Sequence, residues 1–361
     1  DHLHHVTLLG DGGIIDGAGQ RWWSLKRSKG FDGITLPHLI ELRYTRHLKI
    51  AGLRLVNSPL WTIHPFACED VVVRDVEIVN PVSVKNTDGV NPDSSKDVLI
   101  ENVVFTGGDD AIAIKSGWDC FGDDRGFNTP SKNVIVRNFT VKETSAAAIA
   151  IGSEMSGGIE GVVIDGLRVE KAGAGGVLCI KTTAARGGYV RNISLDSIAI
   201  GTISGHVQQI AAFMITGKVG SWSPEKNPEC KTKSRRLPDV SGIFIKRVRQ
   251  IPGTRVHGPP VRFRGLEEGQ VIRDINMADV CITAEGPGYC SNAELALRDV
   301  SFAGHAGGRW HKEDAHSATC AVRGELSSQS QVGCLAEGLQ LGAPSGASKV
   351  WHPVRRGRDF G

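Results

Sequence analysis

The chain has 361 residues, 40% of them apolar and 45 of them glycine, a composition that can bury a large core and excludes disorder throughout. A formal net charge of +3 excludes neither an acidic polymer nor an uncharged partner. No run of about 18 apolar residues occurs, so no membrane span is expected. Few aromatics beside many Gly, Val and Ile favour strands and tight turns over packed helices. Eight cysteines show no CxxC pair or metal spacing. Cys281 with Cys290 and Cys320 with Cys334 are near enough in sequence to suggest local bridges and an oxidising compartment. Asn138-Phe139-Thr140 and Asn192-Ile193-Ser194 are acceptor sequons compatible with secretion. No signal peptide is present and the chain opens in mid-pattern at Asp1, which points to a missing upstream segment.

In chain order, Gly10 to Gly19 first reads as a turn cluster. An apolar template, h-x-h-x-x-h-x-h, then recurs from Leu48, Val71, Val98, Val134, Val162, Ile193, Ile243, Ile275 and Leu295. Each copy breaks its alternation after the second apolar residue, commonly at Asn, Asp or Gly, where a period-2 strand would turn a corner and begin another. The starts lie 20 to 36 residues apart with one gap of 50, too short for crossover helices and suited to the laps of a solenoid. The runs are β-branched with a period of two. The expected fold is all-β, a right-handed single-stranded parallel β-helix over residues 1–302, followed by an irregular tail over 303–361.

Between Asn86 and Gly117 carboxylates are concentrated where folding does not need them. Asp88 precedes the adjacent pair Asp109 and Asp110 by 21 and 22 residues. If that interval is one lap, the three acids stack on one wall, neighbouring strands being about 5 Å apart. Adjacent strand residues face opposite ways, so Asp109 and Asp110 share a groove only if Gly107-Gly108 bends the backbone. A lone Asp reads as a turn cap or stacking ladder; three together make a carboxylate cluster on rigid backbone.

Residues 118–131 would overhang this groove, with Trp118 at its rim as a sugar-stacking or loop-packing residue. Gly152 to Gly158 reads as a tight inter-coil loop rather than a phosphate cradle, since no Lys-Ser/Thr pair or helix follows. Cys179 reads as a small buried residue on an inward-facing wall, with no histidine near enough to activate it. Residues 220–239 bring a basic run that reads as a solvated loop.

Asn86-Thr87-Asp88-Gly89, Gly108-Asp109-Asp110, Gly152-Ser153-Glu154-Met155-Ser156-Gly157-Gly158 and Ile180-Lys181-Thr182, followed by Arg186-Gly187-Gly188-Tyr189, resemble the polygalacturonase family of pectin hydrolases, glycoside hydrolase family 28. Asp11-Gly12-Gly13-Ile14-Ile15-Asp16-Gly17-Ala18-Gly19 with Trp22-Trp23 is similar to that family's first ordered coil. The resemblance, from about residue 6 to about 302, implies a pectin lyase-like solenoid and inverting hydrolysis of α-1,4 bonds in polygalacturonan. Asp109 would be the acid, Asp88 and Asp110 would hold and deprotonate water, and Asn86 and Lys181 would bind substrate. It implies no cofactor and no metal, and a secreted monomer acting on an acidic cell-wall polysaccharide rather than on nucleic acid or membrane. Repulsion among three carboxylates should raise at least one pKa.

The resemblance breaks at two places. Where the family carries a histidine before its Gly-Ser-Glu motif, this chain has Ser145-Ala146-Ala147-Ala148, and where the family has Arg two residues before the lysine, it has Cys179. Arg's bidentate fork has no substitute in Cys, so a weakened or retargeted pectin-binding β-helix, for example toward a rhamnogalacturonan backbone, is the alternative. A Ca²⁺-dependent lyase on the same fold is a further one.

Overall fold

A computed structural model describes residues 2–27, 36–117, 129–183, 186–205, 209–217, 237–266, 271–304, 310–312, 320–324 and 326. Two parallel ladders carry the chain. Among the described residues the longer has eleven strands, running from His4–Asp16 and Arg46–Val56 through Glu69–Val79, Lys96–Gly107, Ser131–Thr144, Ile159–Ala172 and Tyr189–Ile203 to Cys320–Arg323. The template starts pair with one another in unbroken register: Leu48 on Val71, Val71 on Val98, Val98 on Val134, and so to Ile275 on Leu295. Their side chains fill the core, as Val71, Val73, Val76 and Ile78 show by being almost wholly buried. Each such Val or Ile contributes about 1.5–3 kcal/mol by leaving water.

The corner lies where the alternation breaks, but it bends a continuous strand instead of separating two. In every copy the second residue of the break is left-handed, from Gly52 and Asp75 through Asn102, Asn138 and Gly166 to Asp299. Gly, Asn and Asp tolerate that conformation at least cost. The corners also stack by side chain, Asn102 donating to Asp75 at 3.0 Å and Asn138 to Asn102 at 2.8 Å.

Two expectations at the ends need correction. Gly10 to Asp16 is not a turn cluster: it lies within the His4–Asp16 strand, which pairs with Arg46–Val56 and absorbs its extra residues in a register shift between Leu9 and Gly13. Beyond it stands one helix, Gly19–Arg27, pinned by Trp23, whose Nε1 donates to Pro59 O at 3.1 Å. At the other end both ladders run past Phe302, through Trp310–Lys312 and Cys320–Arg323; these strands are too short to display the eight-residue template. The local bridges are also wrong. Cys290, on the second and shorter ladder, pairs with Cys320, on the last strand of the longer one, and Cys281 is in a separate disulfide.

The second ladder positions the site. Its strands Ile112–Ile114, Ile149–Gly152, Leu178–Lys181, Phe213–Thr216, Val261–Arg264, Gly288–Ser291 and Trp310–Lys312 are extended by Ile40–Arg43 and Ile63–Phe66 through bridges at Val90 and Asp93. Alternate residues enter the core, as Leu178 and Ile180 do. The others face outward in a row that includes Glu41, His64, Ala113, Ala150, Cys179, Met214 and Arg262. Trp118, most of the 118–131 loop and nearly all of the basic run lie outside the described residues.

Candidate active site

The three acids meet where the second ladder begins. Thr62 N–H donates to Asp88 O at 2.8 Å and Gly89 N–H to Asp110 O at 3.1 Å, so Asp88 and Asp110 occupy equivalent positions on successive laps. The two glycines before Asp109 let the backbone pass: a Cβ on Gly107 would lie 2.3 Å from the Phe105 ring, and one on Gly108 would lie 1.9 Å from Val84 O. One carboxylate oxygen from each of Asp88, Asp109 and Asp110 lies within 4.8 Å of the others. The bend expected at Gly107-Gly108 thus puts both members of the Asp pair on one side.

Each acid is held differently. Asp109 Oδ2 accepts from Asn86 N–H at 2.9 Å and its amide at 3.5 Å, while Oδ1 accepts from Asp110 N–H at 2.9 Å. Asn86, expected to bind substrate, is in this structure the partner of Asp109. Asp110 is bound at both oxygens, by Ala147 N–H at 3.0 Å and by Lys181 Nζ at 2.8 Å. Asp88 accepts from Asn91 Nδ2 at 3.0 Å, and its Oδ1 is buried without a partner among the described residues.

Burial, then the Asp109 charge, raise Asp88 well above the usual carboxylate range, against the pull of Lys115 and Asn91. Burial and Asp110 also raise Asp109, although the Asn86 and Asp110 N–H groups oppose them. Burial works against the Lys181 charge, yet Asp110 beside it raises that amine above its ordinary value. The Cys179 thiol is pushed up to about 12 by burial, which leaves it inert as a nucleophile.

Cys179 is buried, but not toward the core. It packs with Ala113, Ala147, Ala150, Ala211 and Met214 in a separate apolar cluster on the outer face, because its neighbours Leu178 and Ile180 take the inward positions. Gly175 closes over this cluster, where its missing Cβ would stand 3.0 Å from those of Ala147 and Cys179. Ala147, in the stretch that lacks the family histidine, supplies its backbone N–H to Asp110 instead.

Sequence reading missed the support around Asp88. Lys115 is buried, with Nζ 3.0 Å from Glu154 Oε2 and 4.5 Å from the centre of the Trp61 ring. Glu154 is drawn down to about 2: burial opposes its charge, but Lys115 outweighs it. Glu154 was visible in the Gly-Ser-Glu motif, and Lys115 follows Asp110 by five residues; their pairing spans 39 residues and leaves no local trace.

Residues 2–218 match the family described as glycosyl hydrolases family 28. The chain belongs to that family. Over 220 residues this family 28 chain is 39% identical to a probable polygalacturonase of Vitis vinifera, covering 61% of this chain and 43% of that protein. It is 28% identical over 204 residues to a probable polygalacturonase of Arabidopsis thaliana, covering 40% of that protein. The chain thus spans about two fifths of these curated relatives. Among solved structures, a hyperthermoactive exopolygalacturonase from Thermotoga maritima superposes with a TM-score of 0.65 at 26% identity, over 83% of this chain and 70% of that one. A family 28 exopolygalacturonase of Yersinia enterocolitica gives a TM-score of 0.59 at 16% identity, over 86% and 52%, a likeness of fold. No helix among the described residues is long and apolar enough to cross a membrane.

The state of Asp88 has a measurable consequence. Its folded pKa stands above the unfolded value of 3.8, so the folded chain holds the extra proton between those two values and stability falls as pH rises through that window. Asp88→Asn will therefore raise stability at pH 7 by roughly 1–3 kcal/mol, the usual scale for a buried polar group left unpaired. The gain will vanish below the unfolded pKa. Urea midpoints of both proteins at pH 7 and pH 3.5 decide it; an equal shift at both would show that Asp88 carries no raised pKa.

Proposed function

We propose that this chain hydrolyses α-1,4 bonds of polygalacturonan, with Asp109 protonating the leaving oxygen and with Asp88 and Asp110 together holding the water that Asp110 deprotonates. The observation that carries this reading is the division of labour in the cluster. Asp109 combines a raised pKa with partial exposure, which suits a proton donor. Asp110, ion-paired with Lys181, suits the base.

The acid oxygens lie closer than the roughly 6.5–9.5 Å between two-carboxylate inverting pairs. Attack by a carboxylate is nonetheless disfavoured. Asp110 is engaged at both oxygens, and burial favours a proton on Asp88. Water gripped by two acids then becomes the attacking group, and inversion follows. Family membership favours hydrolysis over a Ca²⁺-dependent lyase, and the retained acids favour it over a purely binding role.

Cys179 and Ala147 stand where the family's cation and histidine would be. Losing one charged hydrogen bond to uronate costs about 1.5–3 kcal/mol, roughly one to two decades in KM, while the acid–base groups remain. The reading carries with it an acidic cell-wall polysaccharide as partner, a monomer, and an extracellular location supported by the Cys290–Cys320 disulfide. The test is incubation with polygalacturonic acid, following reducing ends, unsaturated uronates and the anomer first released. Reducing ends without unsaturation, with the β-anomer formed first, support inverting hydrolysis. An α-anomer would overturn inversion, and unsaturated product would overturn hydrolysis.

A further inference from the structure

A second cluster of ligating side chains sits at the N-terminal end of the outward row. Glu41 and His64 are register partners on adjacent strands, and His38 enters just before the first of them. One donor atom from each of His38, Glu41 and His64 lies within 4.8 Å of the others. We propose that these three residues form a Zn²⁺ site and that Asp93 orients His64 within it.

Hydrogen bonding does not account for the arrangement. His64 is 6% exposed, yet among the described residues neither of its ring nitrogens has a partner within hydrogen-bond distance, and His38 Nδ1 is likewise buried without one. Buried imidazole nitrogens are normally satisfied, and leaving one unmade costs about 1–3 kcal/mol. His64 Nδ1 lies 3.6 Å from Glu41 Oε1, too far for a hydrogen bond. It is close to the spacing of about 3.3 Å that separates two donors around a tetrahedral zinc with bonds of 2.0–2.1 Å.

The opposite ring nitrogen supports the same assignment. His64 Nε2 faces Asp93 Oδ2 at 3.7 Å, and Ser94 Oγ donates to the other oxygen of Asp93 at 2.9 Å. A metal-bound histidine characteristically points its second N–H at a carboxylate, which fixes tautomer and ring plane. Trp61 stacks on His38 with centroids 4.8 Å apart and meets His64 edge-on at 5.0 Å, so both rings are held from one side. Two nitrogens and one carboxylate form a zinc donor set with a fourth position open; Ca²⁺ requires oxygen ligands. Glu41 is exposed and gives the ion a path from solvent.

The competing occupant is a proton, held on His64 between Glu41 and Asp93. Titrating ZnCl₂ into the metal-stripped chain by calorimetry, with zinc per chain counted by mass spectrometry after dialysis, separates the two. The expected result is one zinc per chain, with affinity reduced at least 100-fold in His38→Ala and in Glu41→Gln and by about 10–100-fold in Asp93→Asn. Asp109→Asn and His47→Ala, which alter the acid cluster and the exposed His47–Asp70 pair, should leave binding unchanged. No zinc taken up by the folded wild-type chain, or unchanged affinity in His38→Ala, overturns the proposal, as does binding abolished by either control. Circular dichroism and thermal unfolding confirm that each variant is folded. The readout is independent of hydrolysis, so its failure says nothing against the proposed activity.

Discussion

With the proposed activity, Asp109→Asn should lower kcat on polygalacturonic acid by roughly two to four decades, the usual worth of a positioned general acid, and leave KM nearly unchanged. The asparagine keeps the size of the carboxylate and can still accept from the Asn86 N–H, but it has no proton to deliver at its oxygen. Because burial and Asp110 raise the Asp109 pKa, the wild-type side chain stays protonated to higher pH than an ordinary aspartate. Its loss of that proton should set the alkaline limb of the kcat/KM profile, and the variant's residual rate should lack the limb. A galacturonide with an activated aryl leaving group separates catalysis from damage, since its departure needs no protonation. Recovery of most of the lost rate on that substrate is expected. Persistent inactivity on it from a folded variant would remove Asp109 from the role of acid and shift attention to Asp88.

The solenoid was legible because its two causes are both local: an apolar period of two, and a left-handed residue at each corner. The nine template starts, Leu48 to Leu295, are the residues that pair in the long ladder. The first lap escaped the pattern because Gly10, Gly12 and Gly13 interrupt Val6 and Leu8, and glycine looks the same in sequence whether it turns the chain or bulges a strand. The cysteines misled for the opposite reason. Nearness in sequence suggested Cys281–Cys290, whereas a coil brings together residues about one lap apart, and Cys290 and Cys320 are separated by 30.

The acids of the site could be read because they come in motifs, and the bend ahead of Asp109 and Asp110 followed from Gly107 and Gly108. What supports them could not. Asn91 on Asp88, Ala147 N–H on Asp110 and Glu154 on Lys115 are products of stacking laps of unequal length. The outward side of Cys179 could have been found, since its flanking Leu178 and Ile180 claim the core by alternation.

Glu154→Gln should cost about 3–5 kcal/mol of stability, because it strands a buried ammonium. Lys115 is 6% exposed; its described neighbours beyond Glu154 include the face of Trp61 and Asp88, which is itself favoured toward its neutral form by burial. Lys115→Met should cost a similar amount by stranding the Glu154 carboxylate. The double variant should recover much of the loss, since removing both charges together takes away the desolvation cost as well as the attraction. The pH dependence carries the sign. The Glu154 pKa is depressed to about 2 from 4.5, so the stability it contributes is fully present above the unfolded value and is lost as pH falls toward 2. Glu154→Gln should show no such fall from this group. Urea unfolding of the four proteins between pH 7 and pH 2.5 measures both effects; equal losses that simply add would show that the pair is not coupled. In the double variant Asp88 also loses the cation that lowers its pKa, so its proton is held to still higher pH. The pair thus joins two functions: it fixes the Gly152–Gly158 loop against the ladder and limits how firmly the neighbouring acid retains its proton.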